Sequence, residues 1–119
     1  MPELPEVETV VRRLNEVLPG NLFEEVNVLR DKSFQGNTKD VVGSTINSVS
    51  RRAKIISINL DNGLSILVHL KMTGQLIYLS EDGKVGGGHP TSDWIQSLPS
   101  NHTRIETSLT NGQLFFNDM

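Results

Sequence analysis

The sequence contains no cysteine. That absence excludes disulfides and any thiolate metal site within it, and it fits a reducing, cytosolic setting. No apolar run approaches the length of a membrane span. The first residues carry charge and lack the apolar stretch of a secretory signal. A basic excess is also missing, since the formal net charge is −3. Judged by its total, that balance argues against a nucleic-acid binder, which usually carries a basic surplus. No His/Asp/Glu set has metal-ligand spacing, and no internal repeat is visible. What remains is a chain of 119 residues, 36% hydrophobic and 21% charged. Such a length supports one domain with a real core and not two.

The distribution of charge says more than its sum. Basic residues pair at Arg12-Arg13 and gather at Arg51, Arg52 and Lys54. Acids concentrate at Glu3, Glu6 and Glu8, at Glu24-Glu25 and at Glu81-Asp82. A basic face is therefore compatible with the acidic total.

Hydrophobic spacing predicts a helix over residues 3–18. Val7, Val10, Val11, Leu14 and Leu18 form one stripe. Pro5 suits a first turn, the early glutamates suit the helix dipole, and Pro19-Gly20 stops the run. Strands follow over residues 23–28, 45–49, 54–60, 64–70, 75–79, 104–109 and 113–116. Asp61-Asn62-Gly63 and Thr110-Asn111-Gly112 mark hairpin turns. Residues 80–101, with three consecutive glycines and two prolines, read as a long loop, which the lone Trp94 would pin by a local contact. One helix before about seven strands implies a mainly β fold, a sandwich or barrel with a flanking helix. The chain stops at Met119 directly after a strand and reads as truncated at its C-terminal end.

Several residues carry possible chemistry. If Met1 is removed, Pro2 becomes a free secondary amine at a helix start. An α-amino group has an ordinary pKa near ~8, so much of it is neutral at pH 7, and the neutral amine is the form that attacks a carbonyl carbon or a sugar C1′. The resulting iminium has no N–H to lose and acts as an electron sink. Equally, Pro2 is a small second residue that permits methionine removal. Glu3 and Glu6 share a helix face and would place two carboxylates beside that amine for proton transfer; complementing the helix dipole explains them as well. Lys54 follows two arginines where it can meet a phosphate, or it is a solvated edge charge. In the run His69-Leu70-Lys71-Met72-Thr73-Gly74, Met72 at a turn tip suits a wedge between bases or a core residue closing the hairpin, and Lys71 suits a phosphate contact. His102, where the long loop meets the next strand, either donates to a phosphate or caps the loop.

Taken in order along the chain, these pieces resemble the formamidopyrimidine-DNA glycosylase family. Met1-Pro2-Glu3-Leu4-Pro5-Glu6-Val7-Glu8-Thr9 is similar to its N-terminal signature, a highly specific motif. Arg51-Arg52-Ala53-Lys54, His69 to Gly74, and His102-Thr103-Arg104-Ile105 with Asn111 to Asp118 resemble its later blocks. The resemblance spans essentially the whole chain and is weakest over residues 80–101. Leu4 and Val7-Glu8-Thr9 favour this branch over the related endonuclease VIII group, which typically has glycine at the position of Leu4.

The resemblance implies a two-sheet antiparallel β-sandwich whose N-terminal helix carries the active site. It implies a bifunctional enzyme of base-excision repair, a glycosylase for oxidised purines (8-oxoguanine and formamidopyrimidines) and an abasic-site lyase. Pro2 would be the Schiff-base nucleophile, Glu3 the proton donor, Glu6 a supporting carboxylate, and Lys54 the proton donor for β-elimination. His69, Lys71, Met72 and His102 would bind DNA, with Met72 filling the gap left by an everted base. The partner would be damaged double-stranded DNA, met by a monomer in a bacterial-type cytoplasm at the nucleoid, with no membrane involved. No cofactor is implied in this chain. One structural zinc is implied for the full-length family protein, whose helix–two-turn–helix module and four-cysteine zinc finger this sequence does not contain. Arg104 stands where many members carry a second histidine.

Two further readings compete. One is a non-catalytic or degraded DNA-binding fragment of the same family, favoured by the acidic balance and the abrupt end. The other is an N-terminal-proline tautomerase. Those are small βαβ proteins, and one helix followed only by strands disfavours that fold.

Overall fold

A computed structural model describes residues 3–88 and 98–118. Among the described residues the chain forms one α-helix and eight strands. Helix α1 spans Leu4–Val17, with Glu3 as its N-cap in extended conformation and Pro5 inside its first turn. Val7, Val10, Val11 and Leu14 are its buried positions, the stripe that the spacing predicts. The strands are β1 Phe23–Val28, β2 Ile46–Arg52, β3 Ile55–Leu60, β4 Ser65–His69, β5 Gln75–Ser80, β6 Gly83–Gly88, β7 Thr103–Leu109 and β8 Gln113–Asn117.

They form two antiparallel sheets, one of five strands in the order β1-β7-β8-β5-β6 and one of three in the order β2-β3-β4. The predicted helix-flanked sandwich is therefore the observed fold. Alternation along β3 buries Ile56, Ile58 and Leu60, as a half-buried strand requires. These residues share one core with Phe23, Leu76, Tyr78, Leu109 and Leu114 of the larger sheet and with the apolar face of α1.

The helix packs against β2 and β6, the edge strands of the two sheets. Asn15 Oδ1 accepts from the Val49 N–H of β2 at 2.8 Å, which satisfies an edge donor that would otherwise invite a further strand. At the far end of the helix, the buried Asn21 side chain donates to the Val17 and Leu18 carbonyls and accepts from the Asn111 N–H. One side chain thus ends the helix and holds the β7–β8 turn.

The reading of residues 80–101 as one loop is corrected over its first part. Gly83–Gly88 is a strand paired residue for residue with β5. Glycine marks it because the neighbours are too close for side chains. A Cβ on Gly86 would lie 2.1 Å from the Leu76 carbonyl oxygen, and one on Gly87 would lie 3.1 Å from a Val10 methyl of the helix. Composition signals a loop, whereas the glycines here admit close backbone and helix approach. Trp94 lies outside the described residues.

Candidate active site

The helix start and the three-stranded sheet meet at one end of the molecule. Arg52 pairs with Ile55, so Ala53 and Lys54 form a two-residue turn between β2 and β3. Lys54 is thus a turn residue and not the first residue of a strand. Its ammonium lies 3.6 Å from a Glu3 carboxylate oxygen, so two residues 51 positions apart in sequence meet here. Lys54 is two-thirds covered, with its side chain 33% exposed, while Glu3 is 70% exposed. The pair is open to solvent on the acid side and shielded on the lysine side. Glu6 is exposed in the first helical turn. Pro2 lies outside the described residues.

The expected cationic cluster at residues 51–54 is not one patch. Adjacent strand residues point to opposite faces, so Arg51 turns to the helix and Arg52 away from it. Arg51 Nε donates to Glu8 Oε1 at 2.6 Å, and Arg12 Nε donates to Glu8 Oε2 at 2.6 Å. Arg51 Nη1 also donates to the Ala53 carbonyl at 3.3 Å. Ala53 has φ +52°, a left-handed conformation that costs an L-residue about 1–2 kcal/mol.

The guanidinium of Arg12, and then that of Arg51, hold the Glu8 carboxyl below its ordinary value of 4.5. The charged form is favoured by folding, so the stabilisation is complete above 4.5 and is lost as pH falls through the lower folded value. We expect the Glu8 carboxyl carbon to titrate below 4.5 by NMR and to move up toward 4.5 in an Arg12→Ala/Arg51→Ala protein. A wild-type midpoint at or above 4.5 contradicts the clamp.

His69 ends β4 and pairs with Ile55, which puts it beside the Lys54 turn. The Lys71 N–H donates to His69 Nδ1 at 2.9 Å, so in the neutral ring Nε2 is the donor nitrogen. Lys71 is exposed with φ +54°. Met72 is 67% exposed, so it does not close a hydrophobic core. Gly74 ends the turn where a Cβ would lie 2.4 Å from the Leu70 carbonyl oxygen, which gives the motif's glycine a steric reason.

His102 is tied to this turn by residues the sequence does not single out. Thr73 Oγ1 donates to Asp118 Oδ1, and the Asp118 N–H donates to the His102 carbonyl at 2.9 Å. Beneath them, buried Thr103, Asn117 and Gln75 form a hydrogen-bonded chain: Thr103 Oγ1 to Asn117 Oδ1 at 2.8 Å, and Asn117 Nδ2 to Gln75 Oε1 at 3.2 Å. Thr73, Asp118 and Glu8 all sit inside the family-like motifs. The Glu8–Arg12 spacing of four is a readable helix pair, but no local pattern names Arg51, Asp118 or Thr73 as a partner. Topology thus gathers Glu3, Lys54, His69, Lys71 and Met72 at one end, with His102 joined through Asp118. Among the described residues no group of three or more His, Cys, Asp or Glu could hold a metal, and without cysteine the chain does not fit a four-cysteine zinc site.

Fold and site together define a helix-flanked antiparallel β-sandwich domain that presents a carboxylate–lysine pair at the start of its N-terminal helix. Residues 1–119 match the family described as the formamidopyrimidine-DNA glycosylase N-terminal domain. The chain belongs to the formamidopyrimidine-DNA glycosylase family. It is 38% identical over 125 residues to the formamidopyrimidine-DNA glycosylase of Pelotomaculum thermopropionicum, covering 100% of this chain and 40% of that protein. It is 37% identical over 124 residues to that of Xanthomonas axonopodis pv. citri, covering 99% of this chain and 40% of the relative. Among solved structures, the Lactococcus lactis Fpg bound to Fapy-dG-containing DNA has the same fold, with TM-score 0.79 and 24% identity over 98% of this chain and 40% of that one. The chain thus spans about 40% of the length of the relatives it matches.

Proposed function

We propose that this domain supplies the reacting groups of a base-excision repair glycosylase and abasic-site lyase acting on oxidised purines in duplex DNA. The observation that carries this reading is the Glu3–Lys54 pair, 3.6 Å apart and immediately after Pro2 in the chain. It is supported by family membership and by the Lactococcus lactis relatives, whose structures hold Fapy-dG or abasic-site DNA.

The neutral Pro2 amine attacks C1′ of the damaged nucleoside. The bond from C1′ to the base breaks, and the base leaves with the electron pair and takes up a proton. Glu3 protonates the sugar ring oxygen as the ring opens, giving the C1′ iminium. The iminium draws the electrons of a C2′–H bond, a base removes that proton, and the C3′–O bond breaks. The leaving 3′-phosphate is met by the Lys54 ammonium, which holds its negative charge and donates a proton. Glu6 supports proton transfer at the amine. Exposed Met72 fills the space of the everted lesion, whose extrusion costs a few kcal/mol and less for a damaged pair. His69 Nε2, Lys71 and His102 contact the DNA backbone. In the full-length protein, which acts as a monomer in the cytoplasm, a structural zinc belongs to a part of the chain outside these 119 residues.

The test is a duplex carrying a single 8-oxoguanine or abasic site, incubated with the protein and borohydride. A covalent adduct and a nick at the lesion are expected. If a longer protein that includes this domain gives neither, the reading fails; an adduct from the longer protein alone makes this chain the non-catalytic fragment.

A further inference from the structure

The Ala53-Lys54 turn is held in an unfavourable form, and the contacts that hold it lead back to the helix. In a two-residue hairpin turn a positive φ at the first position favours glycine, yet this chain has Ala53 there at φ +52°. The Arg51 guanidinium donates to the Ala53 carbonyl at 3.3 Å, and its Nε is fixed by Glu8 at 2.6 Å. Glu8 is rooted in α1, five residues after the Glu3 that meets Lys54 at 3.6 Å. A closed circuit results: Glu3 and Glu8 from the helix grip the turn at Lys54 and, through Arg51, at Ala53. The Glu8–Arg51 contact is partly shielded, with side chains 31% and 28% exposed, whereas the Arg12 partner is 77% exposed. Arg51 is therefore the arm that bears on the turn, and Arg12 steadies the other oxygen.

We propose that Glu8 is a positioning residue: acting through Arg51, it holds Ala53 in its left-handed conformation and so sets Lys54 beside Glu3. The proposal rests on the reading of Lys54 as the proton donor for elimination. Glu8 itself touches neither the sugar nor the phosphate. Its effect falls on the step that uses Lys54 and leaves amine attack by Pro2 nearly untouched.

The experiment uses the full chain and two independent readouts. The first is the 1H–13C signal of the Lys54 ε-methylene, assigned by its loss in Lys54→Arg. In Glu8→Ala this signal should move to where Glu3→Gln puts it, since both substitutions separate the pair. The second is single-turnover cleavage of an abasic duplex. Elimination should slow by about 10-fold or more, the scale on which a small misplacement of a reacting group acts, while half-saturating DNA stays within about two-fold, as expected when an interaction specific to the transition state is lost. Adding Ala53→Gly to Glu8→Ala should return both readouts part of the way, because glycine adopts positive φ without a Cβ penalty. Arg51→Met cuts the same relay without altering the helix and should reproduce both changes, so a poorly folded Glu8 variant does not shelter the idea. An unmoved Lys54 signal in Glu8→Ala and Arg51→Met overturns the proposal, as does a double variant in which Ala53→Gly restores nothing. If the wild-type protein fails to cleave, the enzymatic reading fails, and the Lys54 signal alone decides this one.

Discussion

Replacing Pro2 by glycine is expected to lower borohydride trapping on an abasic duplex by roughly 100-fold or more, the scale on which one catalytic group acts. Glycine keeps an amine at the same place, so the change tests what proline adds. The secondary amine forms an iminium without an N–H. It stays charged and keeps drawing electrons, whereas the imine from glycine loses its proton and becomes neutral. The surroundings support this use of residue 2. Glu3 adopts an extended conformation as the helix N-cap, with φ −78° and ψ 168°, so the chain before it runs out of the helix axis. The Glu3 carboxylate and Lys54 ammonium stand 3.6 Å from each other, with Glu3 next to Pro2 in the chain. Lys54→Gln should behave differently, keeping most of the trapping while slowing elimination. Equal trapping by Pro2→Gly and wild type would remove Pro2 from the mechanism and point to another amine.

The largest stability effect expected is that of Leu14→Ala, a loss of about 3 kcal/mol. Leu14 is fully buried, at 0% exposure, between the helix and the shared core of both sheets. Truncation leaves a cavity walled by elements that cannot all close in, since α1 is held to β2 and to β6 independently. A domain of this size unfolds with a midpoint shift of about 3–6 °C per kcal/mol, so a drop of roughly 10–15 °C is expected by calorimetry. Leu67→Ala, at a leucine 68% exposed on β4, should change stability by under about 0.5 kcal/mol. A Leu14 variant that melts with the Leu67 variant would show that the helix does not share the core. Loosening the helix would also loosen Glu3, so activity should fall with stability in Leu14→Ala and not in Leu67→Ala.

Much of this protein is legible in its residues alone. Helical spacing from Val7 to Leu14 places α1, because a 3.6-residue period survives in composition. Alternation in Ile56, Ile58 and Leu60 places β3 and its buried face. The order of motifs names the family, and with it the two-sheet fold. Composition misleads over the glycine run because glycine serves both turns and close contacts, and only the Leu76 carbonyl and the Val10 methyl lying against it distinguish the two. The site is legible as residue types and not as an arrangement. Glu3 and Lys54 stand out singly, as do Met72 and His102, but their meeting at one end of the molecule depends on strand register and sheet order. Local physics along the chain therefore determined the elements, the core face of each and the family. The tertiary structure alone decided that Glu8 holds Arg51, that Asp118 ties Thr73 to the His102 backbone, and that Lys54 lies against Glu3. Such contacts form between groups that have no proximity until the sandwich closes.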